Sequence, residues 1–87
     1  VEALKILSLL ADETRLRILK YLEKGEVNVT KIVEHLKLSQ PTVSHHLRKL
    51  EESGLVIKRQ YKRWVFYAVN KKSLKRFIEN FGLELDL

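Results

Sequence analysis

Cysteine is missing from this chain of 87 residues, and so is methionine. Without cysteine there is no structural disulfide, no thiolate metal site, no dithiol redox sensor and no cysteine nucleophile. Glycine occurs three times and proline once, too few for a glycine-rich phosphate loop or a flexible interdomain linker. No apolar run approaches the roughly 20 residues that a membrane-spanning helix needs, so no membrane partner is expected. The opening stretch Val1–Ala11 lacks a basic segment followed by a cleavage site, so no secretory signal is read there and a cytoplasmic protein is expected. No repeat or low-complexity segment appears. What remains is room for a single domain over residues 1–87. Its 45% apolar and 32% charged residues are the make-up of a folded chain rather than a disordered one.

Acid is also scarce, but only locally. Residues 1–54 hold nine basic and eight acidic side chains, whereas residues 55–78 hold eight basic ones and no acid. Residues 79–87 add three acids, and the whole chain carries a net charge of +6. Concentrating the excess in 24 residues raises the local potential and attracts polyanions. A solvated charged face would look the same, so charge alone does not decide the partner.

The apolar spacing supplies the framework. Val1–Leu10 is apolar around most of a helical wheel, which predicts a helix buried on more than one side, against its own core and a second chain. Asp12 is a good N-cap for a helix with Leu16, Ile18, Leu19 and Leu22 as its inward stripe and Gly25 as its end. Val27–Val29 reads as a very short strand. Thr30 is expected to cap a helix over 31–37 with Ile32, Val33 and Leu36 inward. Ser39 opens the next helix, with Pro41 in its first turn and Val43, Leu47 and Leu50 on one buried face, up to Gly54. Only Leu38 and Ser39 separate these two helices, so residues 30–54 fit a helix-turn-helix. The period then changes. Residues 55–60 and 64–69 are β-rich and flank Tyr61-Lys62-Arg63, a hairpin over 55–69. Asn70 caps a last helix carrying Leu74, Phe77, Ile78 and Phe81, closed by Gly82. The tail 83–87 alternates, as a frayed strand or a packing arm would. The fold class is therefore mainly α with a small β-hairpin: a winged helix-turn-helix, with the hairpin as wing.

The chemistry concentrates on the helix after Ser39. With Val43, Leu47 and Leu50 inward, its other side holds Gln40, Pro41, Ser44, His45, Arg48 and Lys49, small, polar or basic throughout. Gln reads adenine bidentately, Arg and Lys read guanine, and Ser adapts to several base edges. Phosphates need hydroxyl and cationic donors, which Ser39, Thr42 and Arg48 supply. Lys58, Arg59, Lys62 and Arg63 surround Tyr61 on the hairpin, a basic and aromatic tip suited to phosphates or a minor groove. Trp64 and Phe66 are read as packing residues. His45 and His46 are adjacent and diverge by about 100° on a helix, the wrong spacing for a two-histidine metal site. His45 is assigned to a base or phosphate. His46 is assigned to packing under the helix or to a phosphate. Ser44 beside His45 is no nucleophile–base pair for the same geometric reason. No metal, cofactor or catalytic residue is expected.

The stretch LADETRLRILKYLEKGEVNVTKIVEHLKLSQPTVSHHLRKLEESGLVIKRQYKRWVFYAV, roughly Leu10 to Val69, resembles the ArsR family of winged-helix transcriptional repressors. Its most specific pieces are LADETRLRIL and SQPTVSHHLRKLEESGLV. The resemblance implies a homodimer joined through the first and last helices, residues 1–11 and 70–87, on an inverted-repeat operator in double-stranded DNA. Leu4, Ile6, Leu7, Leu74, Phe77, Ile78 and Phe81 would form that dimer contact. It also implies base contacts at Gln40, Ser44 and His45, phosphate contacts at Thr42 and Arg48, and a wing over Lys58–Trp64. The sensing chemistry departs from the family. Asn28 and Thr30 stand where metal-sensing members carry two cysteines, and residues 70–81 lack the histidine of a second metal site. A regulator without a metal inducer is implied, its effector unknown. Two other readings remain: a winged-helix protein-interaction module, which needs apolar anchors on the outward face of residues 40–49, and a non-specific nucleic-acid binder.

Overall fold

The computed structural model describes the backbone of residues 2–82 and the side chains of residues 4–80. The tail 83–87 and the Phe81 side chain, both assigned roles above, lie outside the described residues. Among the described residues, five helices and three strands run in the order α1 (Glu2–Leu10), α2 (Glu13–Tyr21), β1 (Val27–Asn28), α3 (Val29–Leu36), α4 (Gln40–Glu52), β2 (Val56–Tyr61), β3 (Trp64–Val69) and α5 (Lys71–Gly82).

The core forms where the apolar stripes of the helices meet one face of the sheet. Ile18 and Leu22 from the α2 segment, Ile32 and Leu36 from α3, and Val43, Leu47 and Leu50 from α4 are buried, with Ile6, Leu55, Val56 and Tyr67. Leu16 does not join them. It is 49% exposed, because Ile18 and Leu22, four residues apart, turn their common face inward and leave Leu16 on the far side of the wheel.

Several boundaries differ from the sequence reading, among them that β1 is Val27–Asn28 and α4 ends at Glu52. α2 ends at Tyr21, and Leu22 to Gly25 form a turn in which the Gly25 N–H reaches the Leu22 carbonyl at 3.1 Å. α3 is capped by Asn28 rather than Thr30. Asn28 has extended backbone, and its Oδ1 accepts the Thr30 N–H at 2.8 Å, so the helix starts at Val29. The hairpin turn is two residues, Lys62 and Arg63, and Tyr61 stays in the strand opposite Trp64. That tight turn depends on Lys62 adopting φ of 55°, a left-handed conformation usually left to glycine. The Gln60 amide donates to the Lys62 carbonyl at 3.3 Å and supports it.

The sheet has three strands in the order β1-β3-β2, so the short strand completes the wing's root. All pairs are antiparallel, Val27 opposite Tyr67, Asn28 opposite Phe66, Lys58 opposite Tyr67 and Arg59 opposite Phe66. Strand alternation divides the wing's side chains. Val56, Lys58 and Gln60 share the helix-facing side with Val65, Tyr67 and Val69. Ile57, Arg59 and Tyr61 share the outer side with Trp64, Phe66 and Ala68. Trp64 is 42% exposed at the tip of that outer side, not packed as expected, because its pairing with Tyr61 beside the two-residue turn sets it at the far end of the hairpin from the core.

Asp12 caps α2 as expected, its Oδ1 accepting the Arg15 N–H at 3.0 Å. That bond holds the carboxyl below its ordinary value of 3.8, against slight desolvation and with help from His46 and Arg15. A carboxyl whose pKa falls on folding stabilises the native state above its unfolded pKa. That contribution is lost as pH drops through the folded pKa. Asp12→Asn keeps a capping oxygen without the titrating group. It is expected to flatten the loss of stability below about pH 4 while changing stability at neutral pH by less than about 1 kcal/mol. Denaturant melts across that range check both.

Candidate nucleic-acid interface

α4 is held at its start by Ser39, whose hydroxyl accepts the Thr42 N–H at 3.3 Å and lies 2.8 Å from the Thr42 hydroxyl. Two of the predicted phosphate contacts, Ser39 and Thr42, are thus partners, both exposed, at the positive end of the helix dipole. Fully buried Val43, Leu47 and Leu50 set the rotation of α4 about its axis. Gln40, Ser44, Arg48 and Glu51 then fall on the flank toward the wing, while Pro41 and His45 point outermost, with Thr42 and Lys49 beyond them.

The wing flank is a groove. Gln40, Ser44, Arg48 and Glu51 of α4 face Lys58, Val65 and Tyr67 of the sheet, with Val29, around a volume of about 240 Å³. Tyr67 is 7% exposed in its wall. Burial pushes the Tyr67 phenol up, and the nearby Glu51 carboxylate adds to this while Arg48 opposes it. The structure therefore brings Gln40, Ser44, Arg48 and Lys58 together, with Ser44 half-buried. Glu51 is the acid of the groove, one turn beyond Arg48.

The histidines separate. His45 is exposed, its ring edge-on to His46 at 5.4 Å between centroids. His46 turns inward, its side chain 14% exposed and 3.9 Å from Asp12 Oδ1. Its Nδ1 accepts the Arg15 Nε–H at 3.2 Å, and Arg15 also donates to the Leu9 carbonyl at 3.4 Å. His46 therefore ties α4 to the start of α2. Among the described residues, no group of three His, Cys, Asp or Glu side chains gathers to hold a metal ion.

The five wing candidates occupy three different settings. Lys58 faces the groove. Tyr61, Lys62 and Arg63 form the tip, with the Lys62 ammonium 5.4 Å from the Tyr61 ring and the Arg63 guanidinium 4.9 Å from the Trp64 ring. Arg59 lies on the outer side over Phe66 at 4.7 Å and donates twice to Glu26, at 2.7 and 2.8 Å. Glu26 and Tyr67 were missed in the sequence. Tyr67 was available from alternation with Val65 and Val69. Glu26 had no local signal, since its partner is 33 residues away.

The predicted dimer contacts also divide. Leu4 and Ile78 are 64% and 54% exposed and Leu7 is half-buried. Leu74 and Phe77 are partly buried against the core, whereas Ile6 is buried within it. Ile6 is therefore a core residue of its own chain, since it lies in one buried cluster with Ile18, Leu22, Leu47 and Leu50.

Residues 12–58, from the α2 cap through α4 to the start of the wing, match the family model described as "Bacterial regulatory protein, arsR family". The chain belongs to the arsR family. It is 42% identical over 79 residues to an uncharacterized HTH-type transcriptional regulator of Methanocaldococcus jannaschii, covering 90% of this chain and 89% of that one. It is 37% identical over 78 residues to the arsenical resistance operon repressor of Staphylococcus aureus, covering 90% and 75%. Its backbone matches HlyU from Vibrio cholerae with a TM-score of 0.80 at 37% identity, covering 90% and 85%. This arsR-family chain is thus a winged-helix, DNA-binding transcriptional regulator and not an enzyme. No described helix is long and apolar enough to cross a membrane.

Proposed function

We propose that the chain binds an inverted-repeat operator in double-stranded DNA as a homodimer and represses transcription by occlusion. In this reading residues 30–54 are the reading unit, 55–69 the wing, and the terminal segments 1–11 and 70–87 the dimer contact. The observation that carries it is the groove in which Gln40, Ser44 and Arg48 of α4 meet Lys58 of the wing, on a helix whose first turn holds no acid. Gln40, Ser44 and His45 read bases. Ser39, Thr42, Arg48, Lys58, Tyr61, Lys62 and Arg63 hold the backbone. Exposed Leu4 and Ile78 favour a partner at the terminal helices. Two α4 helices related by a dyad reach successive major grooves about 34–36 Å apart, giving an imperfect palindrome of about 20 bp.

A relative in Staphylococcus aureus is named a repressor and one in Vibrio cholerae an activator, so a promoter-reporter assay with the operator moved upstream tests the sign. Titration of labelled promoter-derived and random duplexes tests recognition. Gln40→Ala or Ser44→Ala should weaken the cognate duplex by about tenfold or more and leave random DNA unchanged, the worth of a lost base contact. Lys62→Ala should weaken both alike. Equal losses on both duplexes from all three variants would remove the groove assignment.

A further inference from the structure

Among the described residues, Arg59 is the wing cation that hydrogen-bonds a carboxylate. Its Nε and one terminal nitrogen donate to the two oxygens of Glu26 at 2.7 and 2.8 Å, a bidentate pair. The pair spans the sheet. Arg59 is on β2, Glu26 directly precedes β1, and β3 runs between them. Arg59 crosses β3 over the Phe66 ring, which covers one face of the guanidinium at 4.7 Å. The backbone link it parallels is short, because β1 pairs with β3 through only Val27 and Asn28. The rest of the wing projects beyond that link to a tip of exposed Tyr61 and Trp64.

We propose that Arg59 is a positioning residue that, with Glu26, straps the outer face of the wing to its root, rather than a phosphate contact. The inference rests on the DNA-binding reading above for its purpose and on the sheet alone for its geometry. An exposed ion pair is ordinarily worth little. This one differs in being bidentate, stacked and placed where it links β2 to the residue before β1 across the strand between them. It also separates the work of the wing's cations. Lys58 faces the groove and Lys62 and Arg63 form the tip, while the strap sets the angle at which they are presented.

The experiment uses Glu26→Ala, Arg59→Met, which keeps an aliphatic cover on Phe66, and the exchange E26R with R59E. Trp64 is the only tryptophan, so time-resolved anisotropy reports wing motion without DNA. Both single variants should enlarge its fast component, and the exchange should reverse this. On the cognate duplex both should bind roughly five-fold more weakly, the upper worth of such a pair, with recovery in the exchange. The slope of log affinity against log salt should stay unchanged, whereas Lys62→Ala lowers it by about 0.9 per bound copy.

Tighter binding by Glu26→Ala, with weaker binding and a shallower slope for Arg59→Met, would make Arg59 a phosphate contact and overturn the strap. So would an unchanged Trp64 decay in both single variants, or a loosened wing with unaltered affinity. If the unaltered chain binds no duplex, the operator reading fails, and the Trp64 decay still decides whether the strap exists.

Discussion

Leu47→Ala is expected to remove about 2–5 kcal/mol of folding free energy, the cost of a large-to-alanine cavity in a packed core. Leu47 is fully buried at the middle of the inward face of α4, between Val43 and Leu50. No buried polar or charged side chain occurs among the described residues, so apolar contact holds the inner face of α4. A domain of this size commonly has only about 5–15 kcal/mol in all. The loss should appear as a lower urea midpoint at unchanged slope, at fixed protein concentration. Ile57→Ala, at a 52% exposed position on the outer wing, should cost less than about 0.5 kcal/mol by comparison. Comparable costs at both positions would mean that the orientation of α4 is wrong.

Operator affinity is expected to fall about 10⁴-fold between 50 and 200 mM salt. The proposed backbone cations are Arg48, Lys58, Lys62 and Arg63, four in each chain and roughly eight in a dimer. Each neutralised phosphate releases condensed counterion, so the log–log slope should be near −7. One copy acting alone would give about −3.6, and the same salt step would then cost only about 10²-fold. The slope therefore tests the phosphate assignment and the stoichiometry together. A value near zero would place the binding energy outside the wing and the α4 flank.

The helices were legible because the apolar spacing is strong and the caps are standard. Asp12 and Ser39 do as caps what their side chains suggest, and Val43, Leu47 and Leu50 are buried as their i, i+4, i+7 spacing requires. Failures came where the deciding contact is remote or the signal is shared. Asn28 and Thr30 are both good caps two residues apart, and the pairing of β1 with β3 chose Asn28. Leu16 fitted a stripe on composition but not on angle. Trp64 and Phe66 carry the same aromatic signal but differ in distance from the body, so Phe66 is half-buried and Trp64 exposed. In the site, residue types on α4 were readable, but the division of the wing cations was not. It depends on register and on Glu26, which only the folded sheet brings to Arg59.

The left-handed backbone of Lys62 has a cost for anyone seeking a hardier protein. Glycine or asparagine would occupy that bend with less strain, and a search for heat-resistant variants should select such replacements first. Each would also delete a cation from the wing's apex. If Lys62 holds a phosphate as proposed, robustness and DNA affinity pull in opposite directions at this single position, and melting temperature is a misleading guide to improving it.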